Sequence, residues 1–142
     1  MYEMTKRYED LRLEAYPDPA TGGEPWTIGY GSTTYPDGRK VKKGDKITQK
    51  QAEEMLVYYI NKNILPVYNK IPYKLTDDQK DAICSLCYNV GTPAFTRSKL
   101  FTAICKKDLR EIVKQWDFGF NTGLKGIFKR RTEELFMFMK GL

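Results

Sequence analysis

The stretch Trp26-Thr27-Ile28-Gly29-Tyr30, with the pair Asp37-Gly38 after it, decides the fold, because it interrupts an otherwise helical pattern. Its β-branched and aromatic residues are typical of a strand, and Asp-Gly favours a hairpin turn before Arg39-Lys40-Val41. The surrounding region from Ala15 to Lys46 is rich in Gly, Pro, Thr and Tyr, which indicates turns. We therefore predict a small antiparallel sheet in this part of the chain.

The rest of the sequence predicts helices. Thr48 and Thr76 are each followed three residues later by a glutamine, which is the capping-box signal for the start of a helix. Gly91 is a stop signal after the second of these helices, and we expect Pro66 to kink or interrupt the first. Further helices are predicted near residues 2–10, 97–106, 108–117 and 126–140.

These elements predict an α+β fold that is mainly helical. A chain of 142 residues is long enough for one domain with a sizeable core. We expect a single domain over 1–142, with a β lobe at about 12–47 and a helical lobe at about 70–142 that includes the first helix. A long helix would join the two lobes, with a cleft between them.

Charge and histidine content limit the chemistry. The net charge of +6 favours polyanionic partners such as nucleic acid, anionic lipid or a phosphate-bearing cell wall, and is equally typical of an ordinary basic domain. The chain has no histidine. This excludes Ser-His-Asp and Cys-His nucleophile pairs and His-ligated zinc sites, so acid/base catalysis would fall to carboxylates, Lys, Tyr or Cys.

The three cysteines, Cys84, Cys87 and Cys105, are an odd number and do not suggest a disulfide framework. Cys84 and Cys87 have the spacing of a redox motif, but they lie in an apolar helical pattern. We favour buried core thiols over a redox or metal site. The sequence contains no apolar run long enough to cross a bilayer, and its first residues lack a signal-peptide pattern.

Glu9, Asp18 and Thr27 are the candidate catalytic residues. Glycoside hydrolysis needs a protonated carboxyl group to donate to the leaving oxygen and a second oxygen group to place a water. Glu9 stands near the end of the first helix, where partial burial would raise its pKa. Asp18 lies in a proline-flanked turn and Thr27 begins a strand. Each residue alone also fits a purely structural role as a helix-end carboxylate, an Asx turn or a β-former.

The stretch Tyr8–Asp18, with eight residues between Glu9 and Asp18, and the stretch Trp26–Gly31 resemble the catalytic segment of phage-type lysozymes and endolysins, glycoside hydrolase family 24. The segments Ser85–Gly91 and Gly126–Phe136 resemble two further blocks of that family. Three blocks in the family's order cover nearly the whole chain. The resemblance implies a lysozyme-like fold with Glu9 as general acid and Asp18 and Thr27 positioning the attacking water.

The resemblance also implies substrate-binding roles. Asn89, just before a helix stop, would bind sugar hydroxyl or acetamido groups, although a helix-capping role is the alternative. Tyr30 would line the same site, with plain packing as its alternative. One of Arg130 and Arg131 would pair with Glu9 or Asp10, or the two would form a solvated helix face. We expect no cofactor and no metal.

The chain departs from the family pattern at three places. The gap between Asp18 and Thr27 is longer than usual and contains Gly and Pro residues, so Thr27 could be displaced from the water that Asp18 holds. Ser32 stands where many members have a histidine. Lys125 stands where a proline often precedes the closing helix.

The function predicted from this resemblance is a muramidase that cleaves the β-1,4 bond between N-acetylmuramic acid and N-acetylglucosamine with inversion, as a monomer acting on peptidoglycan. We expect synthesis in a bacterial cytoplasm, holin-mediated release and host lysis, without nucleic-acid binding or stable membrane insertion. A virion-borne wall-penetrating enzyme and a prophage-derived bacterial copy are the alternatives to a free endolysin. The alternatives are a nucleic-acid-binding module, for which no motif is present, and a non-enzymatic basic protein that binds walls or membranes. The latter would need none of the three catalytic residues.

Overall fold

The computed structural model describes residues 2–120 and 125–142, with the side chains of residues 118 and 125 left aside. Two short strands and a set of helices follow one another along the chain. They are α1 (Glu3–Glu9), β1 (Arg12–Tyr16), β2 (Thr27–Gly29), α2 (Gln49–Tyr59), a π-helical turn (Ile60–Ile64), α3 (Leu65–Asn69), α4 (Asp77–Val90), α5 (Thr92–Thr96), α6 (Lys99–Lys106), α7 (Leu109–Phe120) and α8 (Lys125–Lys140).

The predicted α+β class, mainly helical with a small antiparallel sheet, is confirmed. Both capping boxes form, with the Thr48 and Thr76 side chains each accepting the backbone N–H three residues on. The helix after Thr48, α2, passes into the π-helical turn, and Pro66 then lies in the first turn of α3. Proline has no backbone N–H, so it cannot continue the hydrogen bonds of the preceding helix. The short helix α5 was not predicted, since only five residues separate Gly91 from Arg97.

The chain divides into two compact units. A sheet unit spans Glu9–Lys62, and a helical unit comprises the chain through Tyr8 together with Asn63–Leu142. Each unit has its own buried side chains. In the sheet unit these centre on Ile28, Val41 and Met55.

The sheet unit is built on an irregular antiparallel pair. Arg12 pairs with Gly29 and Tyr16 with Thr27, so three residues of β1 lie opposite Ile28 alone. Those three residues pair with a different segment instead. The Ala15 N–H donates to the Asp45 carbonyl and the Ile47 N–H to the Leu13 carbonyl, each at 2.9 Å. The change of partner explains the bulge in β1, which bends a strand without losing its backbone hydrogen bonds.

Two glycines allow the chain to turn back after β2. Ile28 and Ser32 exchange both backbone hydrogen bonds at 2.9 Å, and Gly29 and Gly31 lie between them with φ of +68° and +95°. Residues with a Cβ disfavour this region. A Cβ on Gly29 would also lie 3.5 Å from the Cβ of Ala52 in α2, so the sheet rests closely on that helix. The T-I-G-x-G pattern is thus a backbone requirement.

The helical unit is centred on α4, which packs mainly against α8. Seven consecutive residues of α4, from Asp81 to Cys87, are buried. In the same unit the Trp116 ring of α7 lies 5.3 Å from the Phe138 ring of α8. Asp81 accepts hydrogen bonds from the Met4 backbone N–H at 3.2 Å and the Thr5 hydroxyl at 3.4 Å. This fixes the start of α1 on α4.

Cys84 and Cys87 are buried free thiols and Cys105 is half-buried, which confirms the prediction of core thiols for the first two. Burial raises the pKa of Cys84 to about 12, so this thiol has little thiolate character at neutral pH. In the last helix Phe138 is buried whereas Phe136 is 66% exposed. No helix among the described residues is long and apolar enough to span a membrane.

Candidate active site

Glu9 is the last residue of α1 and is half-buried. The helix ends there because Asp10 adopts a left-handed conformation with φ +45°, a region that Asp and Asn enter more readily than most residues. The chain then enters β1 at Arg12. Helix end and strand start are thus joined by two residues, and Glu9 stands at the boundary of the sheet unit.

Asp18 opens the long turn between the two strands. Its Oδ1 accepts the Ala20 backbone N–H at 2.7 Å, and its backbone N–H donates to the Gly23 carbonyl at 2.9 Å. Its carbonyl accepts the Gly22 N–H at 2.8 Å. The extra length of the turn therefore closes on itself between Asp18 and Gly23. Within the part of the chain that the structure describes, Oδ2 has no hydrogen-bond partner.

Thr27 is the first residue of β2 and lies opposite Tyr16. Paired residues in an antiparallel sheet have Cα atoms about 4.5–5.5 Å apart. Asp18 follows Tyr16 by two residues, so both Asp18 and Thr27 stand at the end of the strand pair that the long turn closes. Thr27 is half-buried, and its neighbour Ile28 is fully buried. Side chains alternate along a strand, so the Thr27 hydroxyl faces away from the core side that Ile28 occupies.

The two predicted substrate-binding residues lie in different units. Tyr30 belongs to the sheet unit and is only 6% exposed, so most of its ring packs in the interior. Asn89 belongs to the helical unit, near the end of α4, and its side chain is exposed. Exposure leaves the Asn89 amide accessible to a ligand, whereas the burial of Tyr30 favours its packing role.

A cluster not predicted from the sequence holds the end of α1 on α8. Glu133 binds Arg7 through a salt bridge of 2.7 Å and accepts the Tyr8 hydroxyl at 2.7 Å. The Arg130 guanidinium lies 5.0 Å from the centre of the Tyr8 ring. The hydrogen bonds from Arg7 and Tyr8 hold the pKa of Glu133 below its ordinary value. This cluster therefore holds Arg7 and Tyr8, the two residues that precede Glu9, on α8.

Replacing Glu133 with Gln is therefore expected to lower kcat severalfold with little change in KM. The half-exposed Arg7 limits the loss of unfolding free energy to about 1 kcal/mol. A carboxylate with a lowered pKa stabilises the fold above its unfolded pKa and loses that effect as pH falls through its folded pKa. The stability difference between parent and variant should thus vanish in acid. Glu54→Gln, on the exposed side of α2, is the matched control, and equal kcat losses in both variants would contradict a positioning role.

Arg130 and Arg131 do not form a solvated helix face, which corrects one of the two expectations for them. They are 6% and 1% exposed, and Glu134 is fully buried between them. Glu134 lies 2.8 Å from Arg131 Nε and accepts the Ser85 hydroxyl at 2.6 Å and the Trp116 indole N–H at 3.2 Å. The spacing of these residues by three and four along a helix was the available signal. This network belongs to the core of the helical unit.

Comparisons with known proteins identify the family of this chain. The sequence profile of the family described as phage lysozyme matches residues 6–134. The chain belongs to the phage lysozyme family. It is therefore a glycoside hydrolase that degrades peptidoglycan. The matched range contains Glu9, Asp18 and Thr27, as well as Asn89 in the helical unit.

Individual relatives cover nearly the whole chain. An endolysin of Acyrthosiphon pisum secondary endosymbiont phage 1 is 39% identical over 143 residues, which cover 95% of this chain and 92% of that protein. An endolysin from Escherichia coli O157:H7 phage FAHEc1 has a similar structure, with a TM-score of 0.84, 30% identity and coverage of 99% and 91%. The muramidase domain of SpmX from Asticaccaulis excentricus has a TM-score of 0.78, 26% identity and coverage of 97% and 93%.

Proposed function

We propose that this phage lysozyme is an inverting muramidase that hydrolyses the β-1,4 bond between N-acetylmuramic acid and N-acetylglucosamine. Glu9 donates a proton to the leaving oxygen. Asp18 activates a water on the opposite side of the sugar ring, and the Thr27 hydroxyl holds that water in place. An inverting enzyme needs its two carboxyl groups about 6.5–9.5 Å apart so that the water fits between the sugar and the base.

The observation that supports this proposal most is the arrangement at Asp18. One carboxylate oxygen is held by the turn, at 2.7 Å from the Ala20 N–H. The other oxygen is therefore available to orient a water. Thr27 begins β2 at the end of the strand pair that this turn closes, and we infer that a single water contacts both side chains. The longer turn closes on itself between Asp18 and Gly23, which permits this arrangement despite the added residues.

Substrate and partner proposals follow from the same chemistry. Asn89, exposed at the end of α4, binds hydroxyl or acetamido groups of the glycan, and the hydroxyl end of Tyr30 contributes at most an edge contact. The protein acts as a monomer, with no cofactor, and reaches the wall after holin-mediated release from the host cytoplasm. Its role is host lysis rather than recognition of nucleic acid.

Mass spectrometry of digested peptidoglycan tests the proposed reaction. We expect new reducing N-acetylmuramic acid ends and a mass gain of one water per bond broken. Reducing N-acetylglucosamine ends would show that the other glycosidic bond is cleaved. Anhydromuramic ends would show a lytic transglycosylase, in which Asp18 and Thr27 have no attacking water to hold. Released stem peptides with intact glycan would contradict glycosidase action altogether.

A further inference from the structure

One strongly basic stretch of this protein lies in the sheet unit. Residues 37–50 contain six lysines and arginines and two aspartates, a net charge of +4. The helical unit has basic stretches of its own, such as residues 97–107 with four cations and no acid. The six basic side chains of residues 37–50 are all exposed. We call residues 37–50 the basic segment. Its cations are Arg39, Lys40, Lys42, Lys43, Lys46 and Lys50.

The backbone of the basic segment is held in a fixed conformation. The Asp45 N–H donates to the Lys42 carbonyl at 3.1 Å, and Gly44 has φ +90°, as the third position of a type II turn requires. The Asp45 carboxylate also accepts the Lys42 N–H at 3.0 Å and the Tyr35 hydroxyl at 2.7 Å. Lys42 and Lys43 thus occupy the first two positions of a tight, anchored turn.

Most of these cations form no close ion pair among the described residues, although Asp45 attracts Lys42 over a longer distance. Arg39 pairs with Asp37 at 2.6 Å. In contrast, no carboxylate of residues 2–120 and 125–142 lies within 4.0 Å of the five lysine ammonium groups. Glu14 pairs with Lys46 through the backbone only, and Glu24 lines the same groove as Lys40. Even with these carboxylates and Asp45 nearby, residues 40–43 present three lysines and no acid.

The segment is attached directly to the strand between the two candidate catalytic carboxylates. Asp45 and Ile47 form backbone hydrogen bonds with Ala15 and Leu13 of β1 at 2.9 Å. β1 lies between Glu9 and Asp18 in the sequence, within the same compact unit. A polyanion bound by the lysines would therefore be held on the same unit that carries Glu9 and Asp18.

We propose that the basic segment is an adsorption surface for peptidoglycan that binds the carboxylates of its stem peptides. It rests on the proposed action on peptidoglycan but is separate from the catalytic residues. Peptidoglycan is an insoluble polymer with a repeating array of carboxylates, and an array of exposed ammonium groups complements it by charge. Several weak contacts on one polymer act together, so the binding exceeds what a single surface ion pair provides. We propose carboxylates, and not phosphates, as the bound anions because every peptidoglycan substrate carries carboxylates.

Sedimentation of the protein with purified sacculi tests this proposal in the Glu9→Gln background, where the sacculi are not degraded. We expect the triple variant Lys40→Gln, Lys42→Gln, Lys43→Gln to bind roughly tenfold more weakly at low salt, with the difference disappearing at high salt. The matched control replaces Lys70, Lys99 and Lys114 with Gln. These are exposed lysines of the helical unit, and the change in net charge is the same. Equal losses in both triple variants would overturn the proposal.

Two treatments of the sacculi identify the anion. Amidation of the stem-peptide carboxylates should weaken binding about as much as the triple variant does, whereas removal of phosphodiester polymers with hydrofluoric acid should not. The reverse result would overturn the proposal in favour of a phosphate ligand. Duplex DNA and soluble stem-peptide fragments can each compete with sacculi for the protein. If duplex DNA displaces the protein at a lower concentration of anionic groups than the fragments do, the proposal is overturned in favour of nucleic acid.

Turnover on small soluble glycan fragments separates this proposal from the catalytic one. With Glu9 restored, the triple variant should keep the parent kcat on fragments without stem peptides and show a raised KM on sacculi alone. A lowered kcat on the fragments would show that the lysines act in the chemistry instead, which also overturns an adsorption role. If neither parent nor variant cleaves the fragments, the proposed glycosidase function fails while the binding result stands.

Discussion

Glu9→Gln is expected to reduce turnover on peptidoglycan by about 10²–10⁴-fold, the range typical of losing a general acid. Gln has nearly the same shape but cannot donate a proton to the leaving oxygen. Because Gln is nearly isosteric with Glu, the substitution of the half-buried Glu9 at the end of α1 leaves the packing intact. Turbidity loss of sacculi gives the rate, and circular dichroism with thermal unfolding checks the fold.

Asp10→Asn is the matched control for this experiment. Asp10 is the adjacent carboxylate, exposed and in a left-handed conformation with φ +45°, which asparagine tolerates well. We expect its activity to stay within about twofold of the parent, since a surface charge change has small effects. If Asn at position 10 and Gln at position 9 reduce activity equally, net charge near the helix end, and not a proton from Glu9, determines the rate.

Glu134→Leu is expected to have the largest effect on stability. It removes the carboxylate that pairs with Arg131 at 2.8 Å while the arginine stays 1% exposed. Breaking a buried ion pair by removing one partner costs about 3–5 kcal/mol, which corresponds to a drop of roughly 10–15 °C in Tm for a chain of this size. Burial lowers the pKa of Arg131, so the unpaired arginine is unfavourable in its charged form.

The double variant Arg131→Met, Glu134→Leu distinguishes the ion pair from ordinary packing. Replacing both partners by apolar groups removes the uncompensated charge, so the double variant should be more stable than Glu134→Leu alone. Urea unfolding at neutral pH measures all the free energies. If the losses of unfolding free energy from the two substitutions add strictly, or if Glu134→Leu alone loses less than about 1 kcal/mol, the network contributes little to the stability of the helical unit.

Local sequence rules predicted the elements whose signals are contained in a few neighbouring residues. The capping boxes at Thr48 and Thr76 form because both partners lie within one helical turn. The hairpin turn at Asp37-Gly38 forms because its glycine takes a positive φ of +92°. The α+β class followed from these short-range signals.

Features that depend on distant residues could not be predicted from the sequence in the same way. The bulge in β1 arises because residues 13–15 pair with residues 45–47, about 30 positions away. The cluster of Arg7, Tyr8 and Glu133 joins residues more than 120 positions apart. No periodic pattern in the sequence indicates pairings between residues so far apart in the chain. Arg131 and Glu134 look like a surface helix pair by spacing, and only the packing of α7 and α4 against α8 shows that they are buried.

The candidate site was predicted in part. The sequence identified Glu9, Asp18 and Thr27 through their likeness to a family segment, and the roles of these residues remain proposals. The effect of the longer turn could not be judged from composition, because it depends on the closing hydrogen bonds between Asp18, Gly22 and Gly23. Those bonds close residues 18–23 into a loop of their own.

The central claim is that Asp18 directs a water at the sugar carbon while Glu9 protonates the leaving oxygen. The most direct test is proton NMR of the first product formed from a soluble peptidoglycan oligosaccharide, recorded before the anomers equilibrate. An inverting enzyme acting on a β-linkage must release the α-anomer first, and that is the expected result for the parent protein. Initial release of the β-anomer would contradict the claim, because retention requires a covalent intermediate or an equivalent double displacement at that carbon.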